Sequence, residues 1–232
     1  MANDYFQFQQ FTIRQARCAM KVGTDGTLLG AWAYGGRRIL DVGTGTGLIA
    51  LMMAQRFPEA LVTGIDINAE AVAQAQENVA ASPFASHVKI LLRDMAELEG
   101  EFDSIVSNPP YFTDALRCPD VQRTMARHTD TLTYAQLMHH AWRLLSDEGV
   151  LSVVVPADCK SRMESEAALA SFFKCHECAI KTTEKKPAKR YLLAFTKHQH
   201  DLSQTTLTLG TPDAIALTND FYIKKPHEGE TS

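Results

Sequence analysis

Two spacings of apolar residues alternate along most of this chain. Short runs of apolar and β-branched residues, the length of a buried strand, give way to stretches in which apolar positions recur every third or fourth residue. "RILDVG" reads as a strand closing in a glycine turn, and "GLIALMMAQRF" as an apolar helix behind it. "ALVTGIDI" is the next strand and "NAEAVAQAQENVAAS" the next helix, with Asn68 placed to cap it. "HVKILLRD" and "FDSIVS" read as strands. A polar connection then leads to the helix "TYAQLMHHAWRLLSDEG", the strand "GVLSVVVP" and the helix "SRMESEAALASFFK", where Ser161 and Glu164 have capping-box spacing.

Such repetition predicts a parallel sheet covered by helices on both faces. The end breaks the rhythm. "CAIKTTE" and "RYLLAFTK" are strands joined by "KKPAK", short enough for an antiparallel hairpin. The expected fold is therefore α/β and Rossmann-like, a seven-stranded, mainly parallel sheet finished by that hairpin, over residues 38–223. Residues 1–37 lack the rhythm and are expected to pack over the ligand site as an extension. Residues 224–232 are polar and expected to be a disordered tail.

Composition narrows the setting. At 232 residues, with 45% hydrophobic and 22% charged residues, the chain suits one sizeable core. No apolar run approaches the roughly 20 residues of a membrane span, and "MANDYFQFQQFTIRQ" has no signal-peptide pattern. Five cysteines without a regular framework fit reduced thiols, so a cytoplasmic protein is expected. A net charge of −4 argues against indiscriminate nucleic-acid coating but leaves room for local basic patches.

The chemistry gathers at strand ends. "LDVGTGTG" lies between strand and helix, where glycines let the backbone turn tightly against a ligand. Its spacing, Gly43-x-Gly45-x-Gly47, is not the G-x-G-x-x-G of dinucleotide enzymes. Asp41 would repel a pyrophosphate but suits a ligand carrying an ammonium and a sulfonium. Asp66, about twenty residues on, stands where a carboxylate takes both ribose hydroxyls. Together with Asp94, these residues resemble the cofactor site of class I S-adenosylmethionine-dependent methyltransferases. The resemblance implies S-adenosylmethionine as cofactor, Asp66 with Ile67 at the ribose, and Asp94 at the adenine amine; Asp94 read alone is equally a helix cap before "MAELEG".

Asn108-Pro109-Pro110-Tyr111 ends the fourth strand of that sheet as a stiff elbow, because proline lacks a ladder N–H. A planar exocyclic amine is a poor nucleophile. An amide oxygen from Asn108 and the Pro109 carbonyl can each accept one of its N–H bonds, favouring a pyramidal nitrogen. Tyr111 can stack on a flipped-out base. The motif resembles that of N-methyltransferases acting on adenine N6, cytosine N4 or a glutamine amide.

"MKVGTDGTLLGAW" and "RTMARHTDTLTYAQL", taken with "NPPYF", resemble one family in particular, the bacterial tRNA methyltransferases that make N6-methyladenosine beside the anticodon of a valine tRNA. That likeness implies a valine tRNA as partner and places Lys21, Thr24 and Asp25 near the methionine end of the cofactor. Three basic groups could follow phosphates: Arg117, Arg123, Arg127 and His128; Lys181, Lys185, Lys186, Lys189 and Arg190; and Arg14, Arg17 and Lys21. Solvated polar surface is the competing reading, weaker for the first group and equal for the second, and three such patches on an acidic chain favour a nucleic-acid substrate. No metal site and no membrane contact are expected, and the chain is expected to be a monomer.

The rivals are a release-factor glutamine methyltransferase, which shares "NPPY" but carries a longer helical N-terminal domain, and a non-catalytic RNA binder on the same fold. A small-molecule methyltransferase is a third, and a DNA adenine methyltransferase would need a target-recognition domain. Cys175 and Cys178 have C-x-x-C spacing, and His198 and His200 could supply a second ligand pair, but successive side chains in a strand point to opposite faces and ordinary thiols are the expectation. His139 and His140 are expected at the surface or in packing, and Trp32, Trp142, Met52 and Met53 in the core.

Overall fold

The computed structural model describes residues 4–18, 21–109 and 132–223. Strands β1 (Tyr5–Gln7) and β2 (Thr12–Arg14) form a separate antiparallel pair. Helix α1 (Thr24–Trp32) leads into the alternating unit: β3 (Arg38–Val42), α2 (Leu48–Arg56), β4 (Leu61–Asp66), α3 (Ala69–Ala80), β5 (Val88–Leu92) and β6 (Phe102–Ser107). After residue 131 come α4 (Tyr134–Leu144), β7 (Leu145–Pro156), α5 (Lys160–Leu169), β8 (Phe173–Lys181), β9 (Arg190–Thr196), β10 (Ser203–Thr208) and α6 (Pro212–Thr218).

The main sheet runs β10-β8-β9-β7-β6-β3-β4-β5, and only β9 is antiparallel to its neighbours. After β5 the chain crosses back to lay β6 on the other side of β3. Such a reversal opens a crevice at the carboxyl ends of the two strands, the place where ligands bind in open α/β sheets. The buried residues fall into two clusters. One holds Leu29, Leu51, Met52 and Met53 of α1 and α2, and the other Leu137, Met138 and Ala141 of α4 with Met163 of α5. The strands between them are apolar on both sides, as a doubly covered parallel sheet requires.

The sheet has eight strands where the apolar pattern predicts seven. The additional one, β10, is "SQTTLT", mostly exposed. It pairs parallel to β8 through its backbone, and a polar edge strand carries no apolar alternation to betray it. The expected hairpin is present as β8 and β9. Asn68 caps α3, its Oδ1 accepting the Glu70 and Ala71 N–H groups at 2.9 and 3.0 Å. The capping box expected at Ser161 and Glu164 is absent. Helix α5 begins at Lys160 with Cys159 as its uncapped N-cap, and Glu164 pairs instead with Lys160 (3.1 Å) and Lys174. Starting one residue before Ser161, the helix holds that serine inside its first turn, where it cannot act as the N-cap. A true capping box opens α4, between Thr133 and Gln136.

Candidate active site

The glycine loop is folded back onto the end of β4, with Gly43 N and Thr44 N both donating to Ile65 O at 2.9 Å. Gly43, Gly45 and Gly47 take φ of 71°, 55° and 80°, the left-handed region that side chains resist. Glycine is required here by conformation rather than crowding at Gly43, since a Cβ there would meet no atom within 4 Å. The bare backbone thus faces open space. At the mouth of the loop Asp66 Oδ2 accepts the Gly45 N–H at 3.0 Å, and its Oδ1 accepts the Asn68 N–H at 2.9 Å. Each carboxylate oxygen retains further acceptor capacity toward the crevice.

The crevice is a cavity of about 530 Å³. Its inner wall is made by strand ends: Val42, Ile65, Ser107, Asn108 and Pro109. Ser107 Oγ donates to Val42 O at 3.0 Å, fixing the end of β6 against that of β3. Asp66 and Ile67 line one side, with Asp94, Met95 and Ala96 beyond them. Asp94 caps the short 3-10 turn through Ala96 N (2.8 Å), as its reading as a helix cap expects, and it also lines the cavity.

Gathered on this one cavity, then, are Gly43, Gly45, Asp66, Ile67, Asp94, Asn108 and Pro109. Asp41 and Gly47 are not on its wall. Asp41 is fully buried beneath the loop, where its Oδ2 accepts from Thr44 Oγ1 (2.7 Å) and Ala50 N (3.1 Å) and its Oδ1 has no partner among the described residues. Burial pushes its carboxyl up to about 7, against the pull of those two donors, and the nearby Asp66 charge adds to the rise. Gly47 is the N-cap of α2. Lys21, Thr24 and Asp25 also lie off the cavity wall. Thr24 lines a separate depression between α1 and α6, and Asp25 Oδ2 is bound by Arg190 Nε at 2.8 Å.

That ion pair takes up Arg190, whereas Lys185, Lys186 and Lys189 are exposed between β8 and β9. Arg14 is exposed on β2, and Arg17 pairs with Glu77 at 2.9 Å while lining the cavity. Pro110, Tyr111, Arg117, Arg123, Arg127, His128 and the tail from residue 224 lie outside the described residues. Cys178 is buried, and Cys175 donates weakly to Ala194 O at 3.5 Å.

Several wall residues have no role assigned from the sequence, two polar side chains of α4 among them. Gln136 and His140 of α4 line the cavity, whereas His140 is expected only at the surface or in packing. Arg143, three positions on, ties this helix to the turn after β5 by donating to Leu98 O (2.7 Å) and Met95 O (3.1 Å). The available signal was spacing: residues 136 and 140 are four apart and share a helix face. Burial, then His139 beside it, lowers the His140 pKa from its ordinary value, so the ring facing the cavity is neutral at pH 7.

A switch-point crevice, a left-handed glycine loop and a strand-end carboxylate bonded to that loop define the class of S-adenosylmethionine-dependent methyltransferases. The open backbone at Gly43 and the acids Asp66 and Asp94 fit a ligand with a ribose, an adenine and two cationic centres. Residues 28–186 match the family model of the methyltransferase small domain. A tRNA1(Val) (adenine(37)-N6)-methyltransferase of Phocaeicola vulgatus is 49% identical, over 96% of this chain and 99% of its own. The enzyme of the same name from Parabacteroides distasonis is 43% identical, over 97% and 100%. The chain belongs to this tRNA1(Val) (adenine(37)-N6)-methyltransferase family. Among solved structures, a predicted O-methyltransferase of Agrobacterium tumefaciens shares the fold with a TM-score of 0.67 at 19% identity, covering 85% of this chain and 96% of its own. Among the described residues no helix is long and apolar enough to cross a membrane.

Proposed function

We propose that this protein methylates N6 of adenine 37 in a valine tRNA. S-adenosylmethionine supplies an electrophilic methyl group on a sulfonium. The backbone from Gly43 to Gly47 holds the methionine end, and Asp41 braces that loop from beneath. Asp66, beside Ile67, takes the ribose hydroxyls, and Asp94 with its turn meets the adenine.

The target amine is held by Asn108 Oδ1 and the Pro109 carbonyl, each accepting one N–H. This disfavours the planar nitrogen and stabilises the positive charge that develops on it. Tyr111 stacks on the extruded base, and the amine's spare proton leaves to solvent after transfer. Lys185, Lys186 and Lys189, with Arg14, Arg117, Arg123, Arg127 and His128, follow the RNA backbone. The enzyme works as a cytoplasmic monomer.

The observation that carries this reading is that Asn108 and Pro109 line the same cavity as the glycine loop and Asp66, so amine acceptors and cofactor ligands serve one reaction space. The test is methyl transfer from labelled S-adenosylmethionine to total tRNA of a strain lacking the gene, with product nucleosides separated by mass spectrometry. An N6-methyladenosine peak, absent with Asn108→Ala, is expected. Methylation of a release factor with none of tRNA would move the reaction to a glutamine amide.

A further inference from the structure

Strands β1 and β2 resemble an appendage. Among the described residues they pair as strands only with each other, and they precede the region that matches the methyltransferase model. Their attachments run elsewhere. On one side Gln9 N donates to Phe221 O at 2.8 Å, and Gln9 Nε2 donates to Asn219 O and Tyr222 O at 2.7 and 2.6 Å. On the other side stands Asn78 of α3, 1% exposed. Its Oδ1 accepts the Arg14 N–H at 2.9 Å, and its Nδ2 donates to Arg14 O at 2.8 Å and to Thr46 O at 2.9 Å.

A primary amide has two N–H donors, and here both are committed. One holds β2; the other holds the glycine loop, since Thr46 lies between Gly45 and Gly47. The preceding residue, Glu77, accepts from Arg17, which with Cys18 lines the cavity. Two consecutive residues of α3 thus pin the N-terminal segment to the loop and to the cavity wall.

We propose that Asn78 is a positioning residue for the cofactor loop, and that docking of the β1–β2 hairpin is coupled through it to cofactor binding. This rests on reading the cavity as the cofactor site. The buried amide cannot follow a shift of the Thr46 carbonyl without disturbing its bond to Arg14 O, and a buried unsatisfied donor is costly. Whatever the hairpin contributes to cofactor affinity, the cofactor returns to hairpin docking, because coupling free energies are reciprocal.

The test is hydrogen exchange of the full chain with and without S-adenosylhomocysteine, beside calorimetric titration of the same ligand. Binding is expected to slow exchange from Gly43 to Gly47 and also from Thr12 to Arg14, where the Arg14 amide reports directly on Asn78. Asn78→Asp, which keeps the acceptor and removes both donors, is expected to weaken the ligand about tenfold. It should raise KM for S-adenosylmethionine while kcat at saturation stays within about twofold, with KM for tRNA unchanged. Slowed exchange confined to the glycine loop overturns the proposal, as does a folded Asn78 variant that loses only thermal stability. Exchange on the wild-type chain decides the matter even if the variants fail to fold. Ligand affinity indifferent to Asp66→Ala would instead overturn the assignment of the cavity itself.

Discussion

Asp66 and Gly45 are joined by a 3.0 Å hydrogen bond across 21 positions of sequence, from the end of β4 to the glycine loop. The bond fixes the loop and the carboxylate relative to one another. Asp66 therefore braces the loop, and in the proposed reaction the same carboxylate also takes the ribose hydroxyls.

Asp66→Ala removes both roles together. S-adenosylhomocysteine should bind roughly 10- to 100-fold more weakly, as expected for lost hydrogen bonds to a charged group. Isothermal titration measures it; unchanged affinity would exclude Asp66 from the ribose site.

Asn108→Ala should separate binding from chemistry. The amine loses one acceptor, so kcat should fall by roughly 10²–10³-fold. Affinity for S-adenosylhomocysteine, read by titration, should change far less. Equal loss of both would make Asn108 a cofactor ligand instead.

Asp41 predicts a pH dependence of stability. Its folded-state pKa, about 7, lies above the ordinary 3.8. Between these values the folded chain binds more protons than the unfolded one, so stability from this group is complete below about pH 4 and lost by pH 7. Urea unfolding of wild type and Asp41→Asn across pH 4–8 should show the wild type losing up to roughly 3–4 kcal/mol relative to the variant. A flat difference would show that Asp41 is charged throughout.

Lys185, Lys186 and Lys189 should act on RNA through charge alone. Replacing all three by alanine should reduce the slope of log Kd against log salt by roughly 2 and leave S-adenosylhomocysteine binding intact. An unchanged slope would return this hairpin to ordinary solvated surface.

Arg190 should behave differently from those lysines. Its partner is Asp25 at 2.8 Å, with the side chains 35% and 22% exposed. A double-mutant cycle of Asp25→Asn and Arg190→Gln should give a coupling of about 0.5–1 kcal/mol in unfolding free energy. Additive effects would show the pair to be energetically idle.

Much of the site was legible because its chemistry is local. Gly43, Gly45, Asp66 and Asn108 each sit at a strand end that the apolar rhythm marks, and the switch-point rule brings strand ends together. The loop's positive φ values follow from glycine at those positions. Asn68 capped its helix as read because its partners lie two and three residues away. The Ser161–Glu164 box failed because the helix starts at Lys160, which puts Ser161 inside its first turn, while Glu164 is held by Lys160 and by Lys174 of another element.

What the sequence determined by itself, therefore, is whatever depends on near neighbours: the alternation of strands and helices from β3 to β9, the glycine loop, and the acids at the strand ends. Only the tertiary structure decided that Asp41 is buried beneath the loop rather than on the cavity wall, that Arg190 answers Asp25, and that His140 faces the cavity. It also decided that Asn78 ties β2 to Thr46, across 64 positions in one direction and 32 in the other. The physical reason is the same in each case. A side chain's partner is set by which surfaces meet when helices dock on a sheet, and that meeting has no periodicity along the chain.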